Sequence, residues 1–213
     1  MIYYNPIQYD PIDKPVVYSP RTCFIMTRLG EPVPEVISEI RLQLSEKLKS
    51  LSIKEVDASS IVTGRDFLMK IWYQILSVPI GIGIVDESMS AQTMSNIFYE
   101  VGVLQAYGKE TLIIKTSKAK IPSDFIRTEY ISHDANFQSR LDKYFETIFA
   151  LEEYFLTMAN QLEKNPLLSI DYLRRAYLIS GDEAHKNRIQ KFSDALDLAA
   201  RAKNSVENLV TRI

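Results

Sequence analysis

The chain has 213 residues, of which 46% are hydrophobic and 24% charged, and its formal net charge is −2. That supports a real core without disulfide or metal staples, and it excludes a global basic field for gripping nucleic acid. The only cysteine, Cys23, excludes an internal disulfide framework and suits a reducing compartment, while His133 and His185 lack the partner cysteines of a zinc site.

Read in order, the start Met1-Ile2-Tyr3-Tyr4-Asn5-Pro6 shows no basic leader and no long apolar run. No signal peptide or membrane span is expected, and the expected setting is cytoplasmic. Residues 1–21 hold Pro6, Pro11, Pro15 and Pro20 among tyrosines and aspartates. Prolines at that density oppose a helix and favour an extended arm, which the tyrosines would pin down. Residues 22–27 form an apolar run of strand length. The loop 28–33 follows, without a glycine-rich phosphate-binding pattern. Arg28 in that loop has two readings, a forked contact to a phosphate or a solvated arginine.

Residues 34–51 are a predicted helix, with Pro34 suited to its first turn and Ile37, Ile40, Leu44, Leu48 and Leu51 as an apolar stripe. Residues 53–56 are a short second strand ending at Asp57. Gly64-Arg65-Asp66 lead into a helix over 67–76, whose Leu68, Ile71, Trp72 and Ile75 face the core. Asp66 either caps that helix or sits at the rim of a site.

The run Pro79-Ile80-Gly81-Ile82-Gly83-Ile84-Val85-Asp86 reads as a third strand ending in an acid. A polar loop leads to a helix in which Met94, Ile97, Phe98, Val101 and Leu104 recur at core spacing. Asn96 and Glu100, four apart, share another face, and Gly108 ends the helix. Residues 111–115 and 127–132 are the fourth and fifth strands. Strands alternating with helices over 22–135 predict a doubly wound, mainly parallel five-stranded α/β sheet. Ligands of such sheets collect at the carboxyl ends of the strands, where Asp86 sits and to which the next helix would bring Asn96 and Glu100. The competing readings are a loop cap for Asp86 and a solvated surface residue for Glu100.

From residue 136 the pattern changes to aromatic-rich helical stripes. A long helix runs to about 164, Asn165-Pro166 breaks it, a second helix covers 167–180, and a third begins at 184 and runs to 213. Residues 172–182 loosely resemble one tetratricopeptide-type hairpin, and one hairpin makes no repeat array. The organisation expected is an arm (1–21), an α/β domain (22–135) and a helical region (136–213). The helical region would serve as a surface for self-association or for a partner protein, or only as a cover for the sheet.

A strand ending in Asp86, a loop, then Asn96-Ile97-Phe98-Tyr99-Glu100-Val101-Gly102 and Gly108-Lys109 before the next strand resembles the nucleoside 2-deoxyribosyltransferase-like superfamily. The Toll/interleukin-1-receptor-like (TIR-like) proteins of bacterial defence carry a similar helix, and the turn Ile121-Pro122-Ser123-Asp124-Phe125 resembles one that follows the fourth strand in relatives. The resemblance spans about residues 22 to 130. It implies a flavodoxin/TIR-like fold in which the helix glutamate is central to cleaving an N-glycosidic bond. It also implies that the loop carrying Arg28 and the polar residues before the Ile71-Trp72 helix, Asp66 among them, lie near the ligand.

The chemistry suits a carboxylate. Cleaving an N-glycosidic bond develops positive charge on the sugar carbon, which a carboxylate beneath it stabilises or attacks. Glu100 is the candidate for that role. Asp86 would hold sugar hydroxyls or the base, Asn96 would orient Glu100, Tyr99 would stack or donate, and Gly102 would admit a close approach. The first loop lacks the aromatic-glycine-proline pattern of true deoxyribosyltransferases, and no late carboxamide motif for the sugar follows. Hydrolysis of a nucleotide, nucleoside or NAD is therefore expected rather than base exchange, with NAD or a nucleotide as substrate and no cofactor or metal. The alternative is a non-catalytic nucleotide-binding module that signals through its helical tail. Neither membrane nor direct nucleic-acid binding is expected.

Overall fold

The computed structural model describes residues 16–30, 32–58, 67–125 and 129–195. They belong to two compact units, one of Arg21–Thr147 and one of Met1–Pro20 with Ile148–Ile213.

In the first unit the elements are β1 (Thr22–Met26), α1 (Glu35–Ser50), β2 (Lys54–Asp57), α2 (Phe67–Ser77), β3 (Ile80–Val85), α3 (Ala91–Ala106), β4 (Glu110–Lys115) and β5 (Tyr130–Ser132). The five strands form one sheet in the order β2-β1-β3-β4-β5, and every pairing is parallel. β1 and β3 are buried along their whole length, as the continuous apolar runs demand of strands covered on both faces. The chain steps from β1 outward to β2, then back across β1 to β3 and on to β4. Right-handed crossovers therefore put α1 on one face and α2 and α3 on the other. The doubly wound sheet expected from the sequence is the one found. Pro34 differs slightly from expectation. It is the N-cap of α1, just outside the first turn, because its extended ψ of 142° cannot start the helix.

α3 lies very close to β3. A Cβ built at Gly81 would stand 2.2 Å from Leu104 Cδ1, and one at Gly83 would stand 3.1 Å from Ile97 Cγ2. Two glycines on one face of the strand thus let the helix settle onto it. The predicted stripe is the buried one: Ile97, Phe98, Val101 and Leu104. Between β4 and β5 the described residues hold one 3-10 turn, Ser123–Phe125. By register Tyr130 points to the same face as Ile113 and Gly83, the α3 face, and it is exposed. Cys23 is fully buried in β1, and burial, reinforced by Glu55, pushes its thiol well above the usual range.

α4 (Phe137–Gln161) begins in this unit, where Gln138 donates to Gln43 (3.0 Å) and Asp142 pairs with Lys47 (2.6 Å) of α1. The sequence pattern changes at residue 136, and the boundary between the units falls further on, after Thr147 within this unbroken helix.

The second unit holds the rest of α4, α5 (Pro166–Ser180) and α6 (Glu183–Ala195). Pro166 opens α5, and Gly181 closes it at φ 72°. Ala159, Ile170, Leu173 and Ile189 form its core, with Leu156, Tyr172 and Phe192 packed against them. Arg174, buried in α5, donates to the Tyr18 hydroxyl at 2.6 Å and pairs with Asp171. Burial opposes charge on Asp171, but Arg174 and Arg175 outweigh it and hold the carboxyl below its ordinary range. Tyr18 and Val16 are buried, so the last residues of the arm are pinned by a tyrosine to α5. Among the described residues no helix is long and apolar enough to cross a membrane.

Candidate functional site

The winding of the sheet reverses between β1 and β3, which lie side by side although the chain visits β2 between them. In open parallel sheets the ligand crevice opens there, at the carboxyl ends. Met26 of β1 is in register with Gly83 of β3. Thr27 and Arg28 follow β1, and Asp86 follows β3 directly.

Asp86 is 2% exposed. Its Oδ1 accepts the Ser88 N–H at 2.7 Å, and its carbonyl accepts from Met89 N–H at 3.3 Å. That is the loop-capping role. Its Oδ2 is buried and has no hydrogen-bond partner among the described residues. The same holds for the hydroxyl of Thr27, a residue the sequence analysis passed over. The two oxygens of Asp86 thus divide: one caps, and one is uncommitted.

The rim beside Asp86 is braced. The Thr116 hydroxyl, at the end of β4, donates to Glu87 in a short bond that helps hold the Glu87 carboxyl below its ordinary range. Thr116 N–H donates to the Val85 carbonyl at 3.2 Å. Lys115 Nζ folds back onto the carbonyls of Thr116, Ser117 and Ala119 at 3.3, 3.5 and 3.1 Å. These contacts fix the loops after β3 and β4 against each other.

α3 starts at a Ser90 cap that accepts Thr93 N–H at 3.1 Å. Asn96 is exposed, and Glu100 is half-buried. Burial pushes the Glu100 carboxyl up from 4.5 to about 7. Neither residue forms a hydrogen bond or ion pair among the described residues, and none joins Glu100 to Asp86. The geometry gives the reason. Glu100 is nine residues into α3, about 13 Å along its axis, and α3 runs back down β3. Alternation places Asp86 with Ile82 and Ile84, on the face opposite Gly81, Gly83 and α3.

Tyr99 is exposed, with its ring edge-on to Trp72 at 6.4 Å; Trp72 also meets Tyr107 at 6.0 Å and is core, as expected. Tyr99 and Gly102 line a separate groove of about 510 Å³, together with Phe98, Val103, Pro122 and Phe125. A Cβ at Gly102 would meet only the Phe125 ring at 3.8 Å, so no described neighbour requires a glycine there. Arg28 is part-exposed and makes no hydrogen bond or ion pair among the described residues. Asp66 lies outside the described residues.

In the helical unit, Glu152, Asp182 and His185 bring one potential ligand atom each within 4.8 Å of the others. These groups are engaged. His185 Nε2 contacts Glu152 Oε1 at 2.7 Å, and Asp182 Oδ1 accepts Ala184 N–H at the start of α6 at 2.8 Å. The cluster clasps α6 to α4.

No protein-family model matches the chain, and no curated protein matches its sequence. The class defined by the fold is that of doubly wound, all-parallel α/β proteins with a helical extension.

Proposed function

We propose that the chain is an N-glycosidic-bond hydrolase acting on a nucleotide, a nucleoside or NAD, with Glu100 as its catalytic carboxylate. The observation that carries this reading is the half-buried, desolvated Glu100 carboxyl on the helix that follows β3. A solvated surface glutamate has no reason to titrate near 7, whereas catalytic carboxylates are tuned that way by burial. The motif resemblance around Asn96-x-x-Tyr99-Glu100-x-Gly102 supports the same reading.

In the reaction the bond between the anomeric carbon and the base nitrogen breaks, and its electron pair leaves with the base. The Glu100 carboxylate stabilises or captures the positive sugar carbon. Water then bonds to the sugar carbon in place of the base, breaking the bond to Glu100 where one has formed. Its proton goes to the departing base or, when nicotinamide leaves neutral from NAD, to solvent. Asn96, one turn nearer the rim, lies on the face of α3 from which it would contact the same substrate. In the TIR-like proteins that the α3 motif resembles, such activity belongs to defence against phage, and the helical unit is a natural surface for control by a partner or a second copy.

The test is incubation of the purified chain with NAD, nucleosides and nucleotides, with chromatographic detection of free base. Glu100→Gln, which keeps shape and removes charge, is expected to lose base release by at least a hundredfold while remaining folded. Equal turnover in that variant rejects the assignment. A second reading, a non-catalytic nucleotide-binding module, is favoured by one observation. Asp86 and Glu100 approach from opposite faces of the sheet and share no hydrogen bond among the described residues. Saturable binding without product would select it.

A further inference from the structure

The uncommitted atoms at the switch point specify what approaches them. Thr27 Oγ1 and Asp86 Oδ2 are both buried and without a partner among the described residues. They follow adjacent parallel strands, and alternation puts both on one face. Met26 and Gly83, in register, point toward α3, so Thr27 falls with Ile25, and Asp86 with Ile84, on the other side. A buried polar atom left unsatisfied costs about 1–3 kcal/mol. Two such atoms at the end of the sheet where ligands bind point to pairing with a ligand rather than with the described residues.

We infer that Thr27 and Asp86 form a subsite for a neutral, hydrogen-bond-donating group of the ligand, and that Thr27 is a specificity-determining residue. A carboxylate oxygen only accepts, so the group before it must donate, which admits a sugar hydroxyl or an exocyclic amine. A phosphate, which brings negative charge and acceptor oxygens, is refused there. The Thr27 hydroxyl both accepts and donates, so it can pair with a hydroxyl, an amine or a ring nitrogen of the same ligand. The inference rests on the proposed nucleoside or nucleotide ligand entering the crevice between the ends of β1 and β3. It does not need Glu100 to be catalytic.

The experiment is calorimetric titration of the full chain, and of Thr27→Val and Asp86→Asn, with adenosine, inosine, 2′,3′-dideoxyadenosine and inorganic phosphate, with melting temperatures recorded in parallel. Adenosine is expected to bind the wild type, and each variant to weaken it by about tenfold or more. Thr27→Val removes an unpaired buried hydroxyl at constant shape, so its melting temperature should equal or exceed that of the wild type. A merely structural threonine would give the reverse. Strong inosine with weak dideoxyadenosine binding assigns the donors to sugar hydroxyls; the opposite pattern assigns them to the amine. The proposal is overturned if no nucleoside binds, if Thr27→Val binds like the wild type or melts lower, if both analogues bind as well as adenosine, or if phosphate displaces adenosine. Wild-type binding without base release would sink the hydrolase reading alone and leave this subsite standing.

Discussion

Particular buried polar groups of the two units are used differently, although Ser77 and Thr116 of the α/β unit are paired within the chain. In the helical unit Arg174 is held by Asp171 and Tyr18, His185 by Glu152, and the Ser169 hydroxyl donates to the Ala159 carbonyl at 2.8 Å. In the α/β unit Thr27 Oγ1, Asp86 Oδ2 and the Tyr144 hydroxyl have no partner among the described residues. Polar groups in the first set join helices to one another and to the arm, so they act in folding. Those of the second set contribute nothing to folding that an apolar group of the same shape would not. Two of them stand at the carboxyl ends of strands, where a ligand would repay the cost. Tyr144 is different. Its electrostatic neighbours Cys23 and Glu110 belong to the first residues of β1 and β4, at the opposite end of the sheet.

Three substitutions sharpen this contrast, in descending order of effect. Arg174→Ala should be the most damaging. It leaves Asp171 without its buried cation and frees the Tyr18 hydroxyl, at a cost of about 3 kcal/mol in urea unfolding. Adenosine affinity should be unchanged if the helical unit plays no part in the crevice, and a large loss of affinity would break the division of labour. Glu100→Gln comes next, with a pH signature. The Glu100 carboxyl titrates at about 7 in the folded chain and at 4.5 ordinarily. Because the folded value is the raised one, its contribution to stability is complete below 4.5 and is lost as pH climbs to about 7. Glutamine never ionises. The variant should therefore melt higher than the wild type at pH 8 and close to it at pH 4; identical curves at both would show that Glu100 is solvated. The smallest effect belongs to Tyr144→Phe, which removes an unpaired buried hydroxyl and should gain about 1 kcal/mol. A loss of stability there would reveal a partner for the phenol.

How much of this was legible beforehand depends on the range of the forces involved. The α3 stripe is local periodicity, and Ile97, Val101 and Leu104 are buried as the spacing requires. The strands and their parallel order follow from alternation with helices. The double role of Asp86 was not legible, since a strand-end aspartate reads equally as cap or ligand group, and only coordinates show one oxygen doing each. Thr27 gave a faint signal, a hydroxyl closing a run whose interior, Cys23 to Met26, is apolar. It became informative once register set it on the same face as Asp86. Asn96 and Glu100 share a helix face as their spacing dictates, yet the sequence could not tell how far down β3 the helix would carry Glu100. That depth is set by where α3 begins, nine residues before Glu100, while Gly81 and Gly83 set how closely the helix sits on the strand. The groove beside Tyr99 and Gly102 was equally hidden, because it arises where Pro122 and Phe125, distant in sequence, face α3.

Cys23 gives the chain an internal clock. It is the only thiol in the sequence, it sits wholly inside β1, and its burial suppresses the reactive thiolate. An alkylating reagent can reach it only when β1 parts from its neighbours, so the labelling rate counts openings of the strand that leads into Thr27. A ligand that bridges the ends of β1 and β3 would slow that clock, and so announce itself without any chemistry being turned over.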